Sequence, residues 1–457
     1  MESGKSVVSN RSLIVHSAVV SGICLLAAVC GLASGAATRR TTSTLECKYP
    51  FLLTEAQMPL LISKADSGDV QAQCLLGFAY HRKSALNSAL NKDETEAAKW
   101  LLKAADAGVP LAQAELGYFY ESGAGVQQND FEAVKWYRKS AQQGVDKAEN
   151  NLGNMYFAGR GGLPRSNEEA AIWFRKAAEQ RLAAAQTNLG MLYRFGEGVA
   201  RDYSEALRWY RKAAAQGRGG ADAELGIMSL HGEGVAQDYV AAVALFQAGA
   251  DHGDPSAQSC LGYMYIKGFG VERDYAAGFR WTRAAAERGI AAAQQNLGHM
   301  YESGLGTIRD EHEAFDWYFA AAVQGLPESQ NKVGYFFETG TGVPRDEVQA
   351  AKWYRKAAEQ GYAVSQLNLA MLYATGPGQG VSVDRVEAYR WLILAAASGS
   401  EDSAEALRRL QNVMTPRQLR EARLRAYGWR SRPLPDLAQE SLFARTSVAL
   451  SDAAIEP

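Results

Sequence analysis

The chain repeats itself with a period of about 36 residues, and that period dictates a stack of small supersecondary units instead of one globular core. A degenerate Leu-Gly-x-x-Tyr motif sets the register. Its glycine falls at Gly77, Gly117, Gly153, Gly190, Gly226, Gly262, Gly298 and Gly334, with Ala370 in the ninth copy. A second series follows it: Trp100, Trp136, Trp173, Trp209, Leu245, Trp281, Trp317, Trp353 and Trp391. Eight of the nine tryptophans in the chain thus share one repeat position, which chance does not produce.

Each copy reads as two helices. In the first, Ala stands five residues before the glycine (Ala112, Ala148, Ala185), then come Leu-Gly and Tyr (Tyr120, Tyr156, Tyr193), all on one helical stripe. A glycine-rich turn follows, as in Gly196-Glu197-Gly198-Val199. The second helix opens seven residues before the Trp position on Asp93, Asn129, Ser166, Asp202, Asp238, Asp274, Asp310, Asp346 or Asp384, all good N-caps. Glu or Gln three residues later (Glu96, Glu132, Glu169, Glu205, Glu313, Gln349, Glu387) predicts a capping box in seven copies. A glycine eight residues past the Trp position predicts the stop, with Arg181 the exception. Caps, periodicity and stops agree, so the chain is expected to be all-α.

Residues 185–217, AQTNLGMLYRFGEGVARDYSEALRWYRKAAAQG, carry the full pattern, which resembles the Sel1-like repeat family, relatives of tetratricopeptide repeats. The resemblance covers about residues 53–412. It implies a right-handed α-solenoid, a TPR-like superhelix with a concave groove, and an adaptor role in assembling complexes. Bacterial relatives are often periplasmic or secreted.

Residues 1–40 differ from the rest. Lys5 and Arg11 precede an uncharged stretch, Ser12 to Thr38, that ends at Arg39 and Arg40. Its apolar centre and the small residues Gly35-Ala36-Ala37 suit a cleaved secretory signal, and its length of roughly 20 residues also suits a retained single membrane anchor. Either way the repeats are expected to be exported, as a periplasmic or secreted protein or one tethered to the inner membrane. The expected division is 1–40 leader or anchor, 41–412 solenoid, 413–429 capping helix and 430–457 flexible tail. A lone second-type helix before the first copy places Leu60 at the Trp position, and Arg408 replaces the glycine in a degraded last unit. Thr415-Pro416 then start the capping helix. Among the cysteines, Cys47 and Cys74 could bridge in an oxidising compartment, or all could be plain buried hydrophobes.

No catalytic constellation stands out, and neither metal nor cofactor is expected. The six histidines lack metal-ligand spacing, and the Gly-x-Gly turns follow helices where phosphate loops follow strands. With 48 basic against 50 acidic residues, bulk charge gives no argument for nucleic acid. Cysteine-rich family relatives have been described as penicillin-binding or weakly β-lactamase-like, but they pair cysteines in every repeat and this chain does not. Specificity must therefore sit where the copies differ. By tetratricopeptide analogy, positions three before, one after and four after the motif glycine face the groove. There a protein or peptide ligand would meet Tyr118, Phe157, Met191, Arg194, Tyr263, Ile266, His299, Glu302, Tyr335 and Glu338. The competing expectation is that these side chains pack between neighbouring helices. A cell-envelope component tethered by its N-terminal segment is the alternative function.

Overall fold

The computed structural model describes residues 58–81, 93–376 and 382–429, all within one compact unit, Leu45–Pro457. Those residues form 21 helices and no strand. After α1 (Met58–Asp66) come nine helix pairs. Their first helices are α2 (Val70–His81), α4 (Pro110–Ser122), α6 (Asp146–Ala158), α8 (Ala183–Phe195), α10 (Gly219–His231), α12 (Pro255–Lys267), α14 (Ala291–Ser303), α16 (Pro327–Thr339) and α18 (Ala363–Thr375). Their second helices are α3 (Glu94–Asp106), α5 (Asp130–Ala141), α7 (Asn167–Glu179), α9 (Tyr203–Ala214), α11 (Tyr239–Asp251), α13 (Tyr275–Glu287), α15 (Glu311–Val323), α17 (Glu347–Glu359) and α19 (Arg385–Ala397). α20 (Glu401–Gln411) and α21 (Pro416–Tyr427) close the array. Each helix from α1 to α19 packs on the next along the chain, and α21 packs back on α19, which makes the array an α-solenoid.

The residues that made the repeat visible hold its pairs together. The motif glycine lies against the residue following the Trp position: a Cβ on Gly117 would stand 2.6 Å from the Tyr137 ring, and one on Gly153 would stand 2.7 Å from Phe174. The ninth copy carries Ala370, with Leu392 in place of the aromatic. The Trp position instead joins copies. Trp353 meets Phe319 of the preceding copy edge to face at 5.3 Å, and Trp209 sits in a core with Phe174 and Leu189. Leu60 has no preceding copy to pack against and is 60% exposed, whereas its neighbour Leu61 is buried.

The turn glycines have two jobs. Gly123 ends α4 in the left-handed region (φ 76°). A Cβ on Gly125 would stand 2.0 Å from the Glu94 carbonyl oxygen, so this glycine lets the turn close on the start of α3 in the preceding copy. Arg181 holds the other glycine position, after α7, at φ 71°, the one positive φ of a non-glycine among the described residues.

The capping boxes expected in seven copies are only half made. Asp202 accepts from the amides of Ser204 and Glu205, as predicted, and its counterparts behave alike. Its own amide donates to the Tyr193 carbonyl at 2.8 Å, and the equivalent amides do the same. The N3 carboxylate therefore has no donor to reach back for. It bridges a cation three residues on: Glu132 to Lys135 and Glu205 to Arg208. The complete box occurs at Thr415 and Gln418, starting α21.

Cys74 is disulfide-bonded, and its expected partner Cys47 lies outside the described residues. So do the leader or anchor, 1–40, and the tail, 430–457. Among the described residues no helix is long and apolar enough to cross a membrane. Cys260 is buried with a free thiol, and that burial pushes the thiol pKa up.

Candidate partner-binding face

Successive first helices are stitched side by side by polar contacts. Asn188 of α8 donates to Asn150 of α6 at 3.0 Å, and Ser329 of α16 donates to Gln295 of α14 at 3.0 Å. Further contacts join first and second helices. Gln113 donates to the Ala105 carbonyl of the preceding second helix at 3.0 Å and accepts from Gln143 at 2.8 Å. The same amide ladder recurs at Gln186 with Gln216 and at Gln330 with Gln360. In the fifth copy it becomes Asp222 with His252, at 3.2 Å. Sequence reasoning passed over this ladder, although every copy carries Gln, Glu or Asp four residues before the motif glycine.

The side chains named as groove candidates fall into two sets. Tyr118 and Tyr335 are each 45% exposed, as is Met371 at the equivalent place in the ninth copy. Tyr263, Ile266 and His299 are half-buried; Tyr263 lies edge-on to Phe269. Phe157 and Met191 are buried in the core of the third and fourth copies.

The charged residues four past the motif glycine are engaged within the solenoid. Tyr137, Tyr318 and Tyr354 donate their hydroxyls to Glu121, Glu302 and Glu338 at 2.7, 2.7 and 2.6 Å. Burial, together with the facing carboxylate, pushes each tyrosine pKa up. Glu302 also accepts from Lys332 of the next copy at 3.0 Å. Burial works to raise the Glu302 carboxyl, but hydrogen bonds from His299, Tyr318 and Lys332 overcome it and hold the pKa at about 2. Arg194 is buried, 2.8 Å from Glu224 and 2.5 Å from Glu233. Burial opposes its charge, the two carboxylates outweigh that, and its pKa is raised.

Among the described residues no group of three or more His, Cys, Asp or Glu is placed to hold a metal ion. The acids of this face are spent on tyrosine hydroxyls and on cations of the adjoining copy. The position after the motif glycine is open at Tyr118, Tyr335 and Met371 and closed at Phe78, Met191 and Ile227.

Paired antiparallel helices in nine stacked copies, with capped second helices and a tryptophan at the joint position in all copies but the fifth, define an α-solenoid of the scaffold type. The chain belongs to the Sel1 repeat family, which matches it in nine consecutive segments from 70–109 to 363–400. Members of that family are generally non-enzymatic scaffolds that bind proteins. Among solved structures, the chain is 29% identical to a protective antigen of uropathogenic Escherichia coli strains, with 88% of this chain and 98% of that one covered and a TM-score of 0.46. It is 32% identical to a Sel1 repeat protein from Oxalobacter formigenes, covering 69% and 90% of the two chains with a TM-score of 0.49. A stretch of 41 residues is 58% identical to a chitin synthase regulator of Saccharomyces cerevisiae. That stretch spans 9% of this chain and only 6% of the yeast protein.

Proposed function

We propose that the protein is a non-enzymatic adaptor that captures a protein or peptide on the face formed by its first helices. The carrying observation is the exposure of Tyr118, Tyr335 and Met371 at one repeat position, where the fourth and fifth copies bury Met191 and Ile227. An aromatic ring left 45% open on a helix whose other apolar side chains are buried or half-buried supplies contact area at low entropic cost. Tyr263, Ile266 and His299 extend the strip through the sixth and seventh copies. Phe157, Met191, Arg194 and Glu302 serve this reading by holding adjacent copies in register, and Glu338 by bonding Tyr354 within its own copy.

The variant Tyr118→Ala/Tyr335→Ala/Met371→Ala tests it. Proteins retained on the immobilised chain are compared with those retained on the variant, with thermal unfolding measured in parallel. Loss of specific retention at unchanged melting is the expected result. Identical retention removes these residues from the function.

Export across a membrane belongs to the same proposal and rests on the sequence of residues 1–40. Intact-mass measurement on the native protein distinguishes a cleaved leader from a retained anchor, and the anchor would make the protein a tethered envelope component. A full-length mass in a soluble cytoplasmic fraction overturns both.

A further inference from the structure

A concavity of about 560 Å³ runs along α17, walled on one side by Tyr373 of α18 and by Ser382. That volume lies within the range of small-molecule sites, roughly 300–1,000 Å³. It is separate from the first-helix strip, since its lining comes mainly from a second helix. Three cations converge there: Lys352, Arg355 and Lys356. Arg355 donates to the Tyr373 hydroxyl, and the Lys356 ammonium stands 3.6 Å from the centre of the Trp353 ring. Among the described residues none of the three is bridged to a carboxylate. Glu359 lines the far end, so the charged lining is three positive against one negative.

One departure from the repeat produces this excess. Where a cation precedes the Trp position, four of the six are bridged to the N3 glutamate of their own helix: Lys135 to Glu132 at 2.8 Å, Arg208 to Glu205 at 2.6 Å and Arg390 to Glu387 at 2.9 Å, with Lys99 bridged to Glu96 likewise. In the eighth copy that place holds Gln349, which keeps its backbone bond to Asp346 but carries no charge. Lys352, like Arg280 in the sixth copy with Ala277 at N3, therefore lacks the partner that the other four cations have.

We propose that this concavity binds a small organic ligand through a phosphate monoester. A dianion suits three converging ammonium and guanidinium groups better than a single carboxylate, charge-assisted bonds of this kind being the strong ones. The apolar part of the ligand would lie against Tyr373 and Val348.

Calorimetric titration of the full-length chain at low salt tests the site, with glucose 6-phosphate as probe and glucose as its uncharged control. The ester binds and glucose does not. Gln349→Glu restores the missing ion pair and weakens ester binding about tenfold or more, and Lys352→Ala/Lys356→Ala does the same. Six other copies already carry glutamate at that place, so Gln349→Glu keeps its melting temperature. Equal affinity of wild type and Gln349→Glu, or no binding of the ester by the wild type, overturns the proposal. Binding of phosphatidic acid vesicles without binding of the soluble ester overturns it too, by assigning the cations to a membrane surface.

Discussion

Arg194 of the fourth copy and Glu224 of the fifth face each other at 2.8 Å with both side chains 5% exposed. The same two repeat positions hold Glu302 and Lys332 between the seventh and eighth copies, at 3.0 Å and with the charges exchanged. Between the first and second they hold His81 and Glu115, at 3.5 Å. A joint that accepts either sign is selecting for complementarity across the interface. In an array of near-identical units, such pairs oppose slippage of one copy against the wrong neighbour, because a mismatched joint would set like charges together.

The exchange of sign makes the joint testable by double substitution. Glu302→Lys or Lys332→Glu alone places like charges about 3 Å apart and should each cost about 1–2 kcal/mol, while the pair Glu302→Lys/Lys332→Glu should recover part of that loss. Chemical denaturation of the four proteins measures the coupling. Additive losses, with no recovery in the double variant, would show that the two residues do not sense each other.

Acid stability depends on the same residue. The Glu302 pKa of about 2 lies below its usual 4.5, so its contribution is complete above about pH 4.5 and is lost as the pH falls towards 2. The pair is partly exposed, and solvent screening reduces the contribution to about 1–2 kcal/mol. Glu149, Asp222 and Asp254 act in the opposite sense, because burial raises their pKa and their contribution fades as the pH rises. Comparison of Glu302→Gln with wild type isolates the one effect from the other three. The variant should be less stable at pH 7 and the two curves should converge near pH 2. A constant offset between pH 7 and pH 2 contradicts the assignment.

The fold was legible because its determinants repeat: the Leu-Gly stripe, the Asp caps and the tryptophans recur in register, and the structure gives each one job throughout. The capping boxes were misread since the N3 glutamate is a correct local signal for two different partners. Only the tertiary bond from the Asp202 amide to the Tyr193 carbonyl decides between them. The candidate face was harder for a similar reason. Glu302 and Tyr335 are both non-repeating residues on first helices, and the sequence marks them equally as groove candidates. The acid is engaged at a joint with Lys332, thirty residues away, and the tyrosine is left open. Aligning the copies for charge complementarity between positions four after and two before successive motif glycines would have revealed the joints.

Glycine at the motif position follows from the side chain facing it, an aromatic in most copies. A Cβ on Gly153 would stand 2.7 Å from the Phe174 ring, and both residues are fully buried, so Gly153→Ala should destabilise the array by about 1–3 kcal/mol. The ninth copy, with Ala370 and Leu392, indicates the remedy. Gly153→Ala/Phe174→Leu should lie closer to wild type than the sum of its single changes. Melting curves of the three variants decide it, and strict additivity would mean that the glycine is needed for some other reason.

Arg181 occupies a glycine position at φ 71°, where Gly108, Gly144, Gly217 and Gly253 stand in other copies with φ from 76° to 92°. An L residue with a side chain gives up about 1–2 kcal/mol there, and glycine returns about 0.5–1 of it through the freedom it adds to the unfolded chain. Arg181 is exposed and makes no ion pair among the described residues. Arg181→Gly should therefore stabilise the protein by about 0.5–1 kcal/mol, with the gain concentrated between α7 and α8. Hydrogen exchange resolved by helix is the suitable measurement, because a solenoid need not unfold as one unit. Faster exchange of the α7 and α8 amides in the variant would mean that the arginine side chain supports the turn more than its backbone strains it.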